Sequence, residues 1–217
     1  FCQAGFLNRP LREKSPEVVE AQCRSICEKT GYDEISLCSL STSDYRGLEK
    51  LITDMLPWTV ENKINISLPS LRADNFPKEL MEQLNAVRRS GLTFAPEAGT
   101  QRLRDVINKN ITEEEVLSTA RQAFAGGWTA VKLYFMIGLP TETEDDIRGI
   151  ADLAQAVVDE FYHNENKPKG KGVNVSVSVA SLVPKPFTPF QWEPQDRPDT
   201  LIEKQNFLIS CVKTRKV

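Results

Sequence analysis

The chain has 217 residues, of which 40% are hydrophobic and 26% are charged, a composition typical of a folded globular domain. Its 27 basic and 30 acidic residues leave a formal net charge of -3, which argues against a broad nucleic-acid-binding surface. The apolar runs are shorter than the roughly 20 residues that a membrane span needs. Five cysteines without regular spacing do not predict a disulfide framework. We therefore expect a cytoplasmic protein that does not enter a membrane.

Helix-like and strand-like segments alternate along the whole chain. Ser15-Pro16-Glu17 combines an N-cap, a first-turn proline and an acid, and predicts a helix that runs to about Thr30 and stops at Gly31. A second helix is predicted from Asp44, with Pro57 expected to end or bend it. Helical spacing of apolar residues predicts further helices at 77–90, 101–108, 113–125, 144–162 and around 201–211. Short apolar strands are predicted at 34–40, 64–71, 92–95, 130–137 and 173–183.

This order of elements predicts the fold class. Short apolar strands separated by longer helices favour βα units and a parallel sheet. The five strands are fewer than the eight of a closed barrel, and the chain opens with a loop and a helix, so we expect a preceding strand. The predicted fold is α/β, a partial (β/α)6 TIM-type barrel with its first strand missing from this chain. We expect this core to span 1–192 and a C-terminal extension helix to span 193–217.

A doubly wound sheet is the competing fold. It is less favoured because no G-x-G-x-x-G or Walker-type sequence follows any predicted strand. In parallel barrels, functional groups collect where strands end. Glu97 is the clearest such residue, since Pro96 and Gly99 constrain its loop at a strand end.

Other strand-end residues have structural alternatives that stay open. Ser41, Thr42 and Asp44 would also suit a helix cap. Arg72 would also suit a surface ion pair, and Gly138 a simple turn. These positions are therefore candidates whose role depends on what surrounds them in the fold.

The cysteines inside predicted elements are expected to be buried structural thiols. Cys23 and Cys27 share one face of a helix, while Cys38 and Cys211 fall in an apolar strand and in the final helix. Cys2 is different, because it lies in the opening loop. If it is the last ligand of a metal-binding triplet, its partners lie upstream of this sequence.

Four runs carry a resemblance to a known family. They are FCQAG at 1–5, PEAG at 96–99, YFMIGLPTETEDD at 134–146 and PKPFTPFQW at 184–192. In this order they resemble the radical SAM superfamily, and in particular a branch related to methylthiotransferase-like and cobalamin-linked members. The resemblance covers nearly the whole chain, and MIGLPTET is its most specific piece.

The resemblance implies a cofactor and a reaction. Members hold a [4Fe-4S] cluster by three cysteines in C-x3-C-x2-C, bind S-adenosyl-L-methionine at the fourth iron, and cleave it to a 5'-deoxyadenosyl radical. Cys2 would be the third cysteine, so we expect this chain to be inactive without the other two. An electron donor such as flavodoxin or ferredoxin is implied. The substrate stays open among RNA, protein and small molecules, and a cobalamin domain elsewhere is compatible.

The resemblance also places the cofactor-binding residues at strand ends. They are Ser39, Ser41 and Thr42 for the methionine amino group, Ser70, Arg72 and Glu97 for its carboxylate and the ribose, and Tyr134, Met136, Ile137, Gly138, Val183 and Lys185 around the adenine. Arg72 and Glu97 are also the catalytic candidates. The family's frequent G-G-E is absent from 39–42.

Two other functions remain as alternatives. Lys132 lies in mid-strand, and a Schiff base there would make the chain a cluster-free barrel lyase or aldolase. Arg9, Arg12 and the basic loop 167–171 suggest a non-catalytic RNA-binding or scaffold domain, although solvated loops account for them better.

Overall fold

The computed structural model describes residues 1–39, 42–67, 92–168 and 170–217, where helices and strands alternate as predicted. Its helices are α1 Ala4–Leu7, α2 Pro16–Thr30, α3 Leu48–Glu61, α4 Gln101–Val106, α5 Glu113–Ala125, α6 Glu144–His163 and α7 Pro198–Cys211. Its strands are β1 Glu34–Ser36, β2 Asn65–Ser67, β3 Leu92–Glu97, β4 Ala130–Ile137 and β5 Asn174–Ser181. The helix predicted at 77–90 lies outside the described residues.

The strands form two parallel sheets. In the first, β1 pairs with β2, with Glu34 opposite Asn65. In the second, β4 lies between β3 and β5, with Leu92 opposite Val131. Within the described ranges no strand pairing joins the two sheets or closes a barrel. The α/β class with parallel strands is therefore confirmed, whereas the partial barrel stays a prediction.

Helix α2 and strand β1 share a small core with α3. The Ser15 hydroxyl accepts a hydrogen bond from the Val18 N–H, and Gly31 ends the helix in the left-handed conformation. Cys23 and Cys27 are buried, as predicted. The prediction for Cys38 is wrong, because β1 ends at Ser36 and Cys38 lies exposed beyond it.

Pro57 does not end α3, although an end there is one of the two outcomes predicted for it. The helix continues through Pro57 to Glu61, because Met55 and Trp58 on either side are buried in the first core. The Thr59 hydroxyl also donates to the Met55 carbonyl at 2.9 Å. Burial of such side chains, about 2 kcal/mol each, offsets the roughly 3 kcal/mol cost of an interior proline.

The second sheet has one face covered by helices. Side chains of β4 alternate, and its odd-numbered residues 131–137 join Phe124 of α5 and Phe161 of α6 in the main core. Leu208 of α7 packs on the same core, so the final helix is attached to this sheet. Lys132, Tyr134 and Met136 point to the opposite face. Among the described residues, no helix is long and apolar enough to cross a membrane.

Candidate functional site

The ends of β3, β4 and β5 meet at one edge of the second sheet, which we call the strand-end edge (97–100, 138–142 and 182–186). Three buried residues that follow these strands, Ala98, Leu139 and Leu182, belong to one apolar cluster with Leu103 of α4. Phe1 packs against this cluster. The opening residues of the chain therefore lie at the strand-end edge.

Cys2 is held at this edge by its two neighbours. Phe1 packs on the apolar cluster, and Gln3 Nε2 donates to the Pro186 carbonyl at 3.1 Å. The Cys2 thiol is free and exposed. A cysteine fixed on both sides but open to solvent is accessible to a metal cluster. The structure thus brings Cys2 close to the segment after β5.

Glu97, the last residue of β3, has an unusual backbone. Its φ of 69° lies in the left-handed region that non-glycine residues seldom occupy, and the β3–β4 register shifts between Phe94 and Glu97. Strain of this kind concentrates at functional sites. The side chain is 18% exposed, and Oε1 lies 3.6 Å from Lys109 Nζ. Burial raises the pKa of Glu97, while Lys109 acts in the opposite direction.

Lys109 is a site residue that the sequence did not reveal. It follows α4, after a turn in which Asn108 has a φ of 54°, and its N–H donates to the Arg104 carbonyl at 2.8 Å. The run Asn108-Lys109-Asn110 indicates a turn, but nothing local shows that the ammonium returns to β3. Together, Glu97 and Lys109 present one carboxylate and one ammonium group at the strand-end edge.

Arg104 holds the loop that follows Glu97. Its side chain is fully buried, and Nη1 donates to the carbonyls of Ala98 at 3.0 Å and Gly99 at 3.5 Å. Its Nε has no hydrogen-bond partner within the described residues. Burial lowers the pKa of Arg104. A buried cation that binds two loop carbonyls fixes the path of the chain behind Glu97.

Asp146 ties the same loop to α6. It accepts hydrogen bonds from the Thr100 hydroxyl, from the Arg102 guanidinium, and from the N–H and hydroxyl of Thr143. Burial works against ionisation of Asp146, but these donors hold its pKa below the ordinary value. Thr143 and Asp146 have the spacing of a capping box, the only local signal for this residue.

Gly138 ends β4 within a second polar network. Its φ is 80°, and its N–H donates to Glu142 Oε2 at 2.8 Å. Lys204 Nζ of α7 donates hydrogen bonds to Glu142 Oε2 at 2.8 Å and to Asp196 Oδ2 at 2.6 Å. A Cβ at Gly138 would lie 3.1 Å from Asp196 Oδ2. The glycine therefore serves a tight connection to α7, and its contact with a cofactor stays a prediction.

The other predicted site residues are dispersed. Met136 packs on the cluster at the strand-end edge, whereas the Ile137 side chain joins the main core on the helix side. Any contact between Ile137 and a cofactor would therefore involve its backbone. Tyr134, Ser39, Val183 and Lys185 are exposed, and Thr42 is buried in a 3-10 turn after β1. Ser41, Ser70 and Arg72 lie outside the described residues.

Replacing Glu97 with glutamine is expected to stabilise the fold at neutral pH by about 1 kcal/mol, as often happens when a functional group is removed. The raised pKa means that the folded state loses stability as pH rises from the ordinary 4.5 through the folded value, and glutamine removes this loss. Urea unfolding at several pH values should show a higher free energy of unfolding for the variant than for the parent, and this difference should vanish below pH 4.5. Glu203→Gln, at an exposed position, is the matched control for the substitution. A less stable Glu97→Gln at pH 7 would contradict the prediction.

Comparison with known proteins identifies the family. The family model described as the Radical SAM superfamily matches residues 1–154. The uncharacterized protein MJ0966 of Methanocaldococcus jannaschii is 32% identical over 196 residues, which are 90% of this chain and 40% of that protein. Elp3 of the archaeon Methanocaldococcus infernus, solved with an N-terminal deletion, shares the fold with a TM-score of 0.57 at 15% identity, covering 94% of this chain and 53% of that one.

The chain thus spans only 40% of the length of the relative from Methanocaldococcus jannaschii. The family model, in contrast, matches more than half of this chain. It includes the opening Cys2, the strained Glu97 and the Asp146 network at the strand-end edge. The chain belongs to the radical SAM superfamily.

Proposed function

We propose that this chain is the catalytic core of an enzyme that uses a [4Fe-4S] cluster to cleave S-adenosyl-L-methionine and oxidise or modify a substrate through the resulting radical. One observation carries the proposal: the Cys2 thiol and the Glu97–Lys109 pair belong to segments that meet at the strand-end edge. The family match supports the reaction class. A flavodoxin or ferredoxin would supply the electron.

The residues present fit one part of a cluster site. Iron-sulfur clusters are bound through cysteine thiolates, and Cys2 supplies one exposed thiol at a fixed position. Within the described ranges, no three cysteine, histidine or acidic side chains converge to hold a metal ion. In the proposed enzyme the other two thiolates belong to a C-x3-C-x2-C motif in which Cys2 is the third cysteine.

The Glu97–Lys109 pair fits the amino acid part of S-adenosyl-L-methionine. The Glu97 carboxylate would accept hydrogen bonds from hydroxyl or amino groups, and the Lys109 ammonium would donate to a carboxylate. When bound, the cluster and S-adenosyl-L-methionine supply one-electron cleavage of the sulfonium bond. The protein's part is to orient: Arg104 and Asp146 fix the loop that carries Glu97.

Cluster assembly and product formation test this function. A longer protein with the complete cysteine motif would be reconstituted anaerobically with iron and sulfide, reduced, and supplied with S-adenosyl-L-methionine. We expect 5'-deoxyadenosine, measured by mass spectrometry, to form only in reduced samples. A protein with the intact motif that binds no oxygen-sensitive cluster would contradict the proposal.

The two alternatives have less support. A Schiff-base lysine is usually activated in a desolvated pocket, whereas Lys132 is exposed. The basic residues proposed for RNA are partly engaged locally, since Arg9 Nε donates to the Gly5 carbonyl at 2.7 Å and Lys167 donates to Tyr162. A cobalamin domain in a longer protein would be an addition that none of these contacts requires.

A further inference from the structure

The central strand β4 exposes a polar surface where a packed one is usual. Parallel sheets are normally covered on both faces, and barrel interiors are filled with branched apolar side chains. The face of β3–β5 opposite the main core, which we call the second face, instead carries exposed Lys132 and 38% exposed Tyr134. This composition suits a surface that meets water or a polar ligand.

The strand register places hydroxyl side chains next to Lys132. Thr93 of β3 and Ser176 of β5 lie opposite Lys132, and Ser178 of β5 lies opposite Tyr134. Partners in a parallel register share a face of the sheet, so these side chains flank the lysine on both sides. One ammonium and four hydroxyl groups, including that of Tyr134, therefore lie on adjacent positions of the second face.

Lys132 also differs from two lysines that pair with acids near the strand-end edge. Lys109 faces Glu97, and Lys204 is bonded to Glu142 and Asp196. Lys132 Nζ instead lies 4.8 Å from the centroid of the Tyr134 ring, and the described residues place no acid in ion-pair contact with it. An ammonium without an acidic partner, surrounded by hydroxyl donors, has the chemistry of an oxyanion site.

We propose that the second face binds an oxyanion of the substrate, a carboxylate or a phosphate, through Lys132 with Ser176, Ser178 and Thr93. The inference rests on the proposed function, because it assigns the substrate to the same sheet as the cofactor site. Lys132 lies four positions before Met136, which is near the strand-end edge, and this is a distance of about 13 Å along a strand. A substrate bound by its oxyanion at Lys132 would extend along β4 toward that edge.

Protection of lysines from acylation tests this site without relying on turnover. The reconstituted longer protein would be treated with an amine-reactive acetylating reagent in inorganic phosphate, in acetate, or in sodium chloride of equal ionic strength, and labelling would be followed by peptide mass spectrometry. We expect phosphate or acetate, at several times a dissociation constant of about 1 mM, to slow labelling of Lys132 at least about threefold. Exposed Lys213 should be labelled at the same rate throughout.

The two anions identify the chemical source. Protection by phosphate alone indicates a phosphorylated substrate, protection by acetate alone indicates a carboxylate, and protection by both supports the shared oxyanion chemistry. Phosphate binding, measured by calorimetry, should be lost in Lys132→Gln and kept in Lys213→Gln. No protection of Lys132 by either anion would overturn the inference.

Measuring 5'-deoxyadenosine in the same preparation separates this inference from the proposed function. Formation of 5'-deoxyadenosine without protection of Lys132 overturns the oxyanion site alone. Protection of Lys132 in a protein that has the cysteine motif but forms no cluster supports an anion site and contradicts the proposed function.

Discussion

Replacing Cys2 with serine is expected to abolish cluster binding in a longer protein that carries the complete cysteine motif. The cluster is held through thiolates, and a serine hydroxyl at the same fixed position is a poor substitute for one of only three protein ligands. The chain around Cys2 cannot shift to bring another side chain to the cluster, because Phe1 packs on the apolar cluster and Gln3 donates a hydrogen bond to Pro186. Iron content after reconstitution and reductive 5'-deoxyadenosine formation should fall at least about 100-fold.

Cys38→Ser is the matched control for this change. Cys38 is the other exposed cysteine among the described residues, and it follows β1 in the first sheet. It should retain both iron and 5'-deoxyadenosine formation, with a melting temperature close to that of the parent. If Cys38→Ser lost the cluster and Cys2→Ser kept it, the ligand would be Cys38, and the assignment to Cys2 would be wrong.

Features that depend on neighbouring residues in the chain could be predicted from the sequence. Thr112 and Glu115 form a capping box, with the Thr112 N–H donating to Glu115 at 2.6 Å, and their three-residue spacing is a signal visible in the sequence. The alternation of short strands and helices was enough to predict parallel pairing, because parallel strands need a long connection between them. The strand-end rule likewise predicts Glu97 as a site residue on local grounds alone.

Features that depend on distant packing could not be predicted in this way. Lys109 reaches Glu97 only because α4 turns back on the end of β3, and Arg104 is a buried cation in a helix with no local sign of burial. Pro57 remains helical because its neighbours are buried against another helix and a sheet. In each case a tertiary contact outweighs the local preference, so the residue type by itself is uninformative.

Gly99→Ala is expected to have the largest effect on the fold. A Cβ at Gly99 would lie 2.2 Å from the Asp146 carbonyl oxygen and 2.4 Å from the Ile150 nitrogen, both backbone atoms of α6. Backbone atoms inside a helix cannot rotate away as a side chain can, so the Glu97 loop must separate from α6. We expect a loss of about 3 kcal/mol or more, and a melting temperature lower by about 6–12 °C in calorimetry.

Gly5→Ala is the control for Gly99→Ala, because a Cβ at Gly5 meets nothing within 4 Å. Its melting temperature should match that of the parent. Gly99→Ala also displaces Glu97 directly, whereas Cys2 is held in addition by the hydrogen bond from Gln3 to Pro186. Gly99→Ala should therefore still assemble the cluster at a temperature where it is folded, but bind S-adenosyl-L-methionine at least about tenfold more weakly. Unchanged affinity in the folded variant would show that the close contact between Gly99 and α6 does not position Glu97.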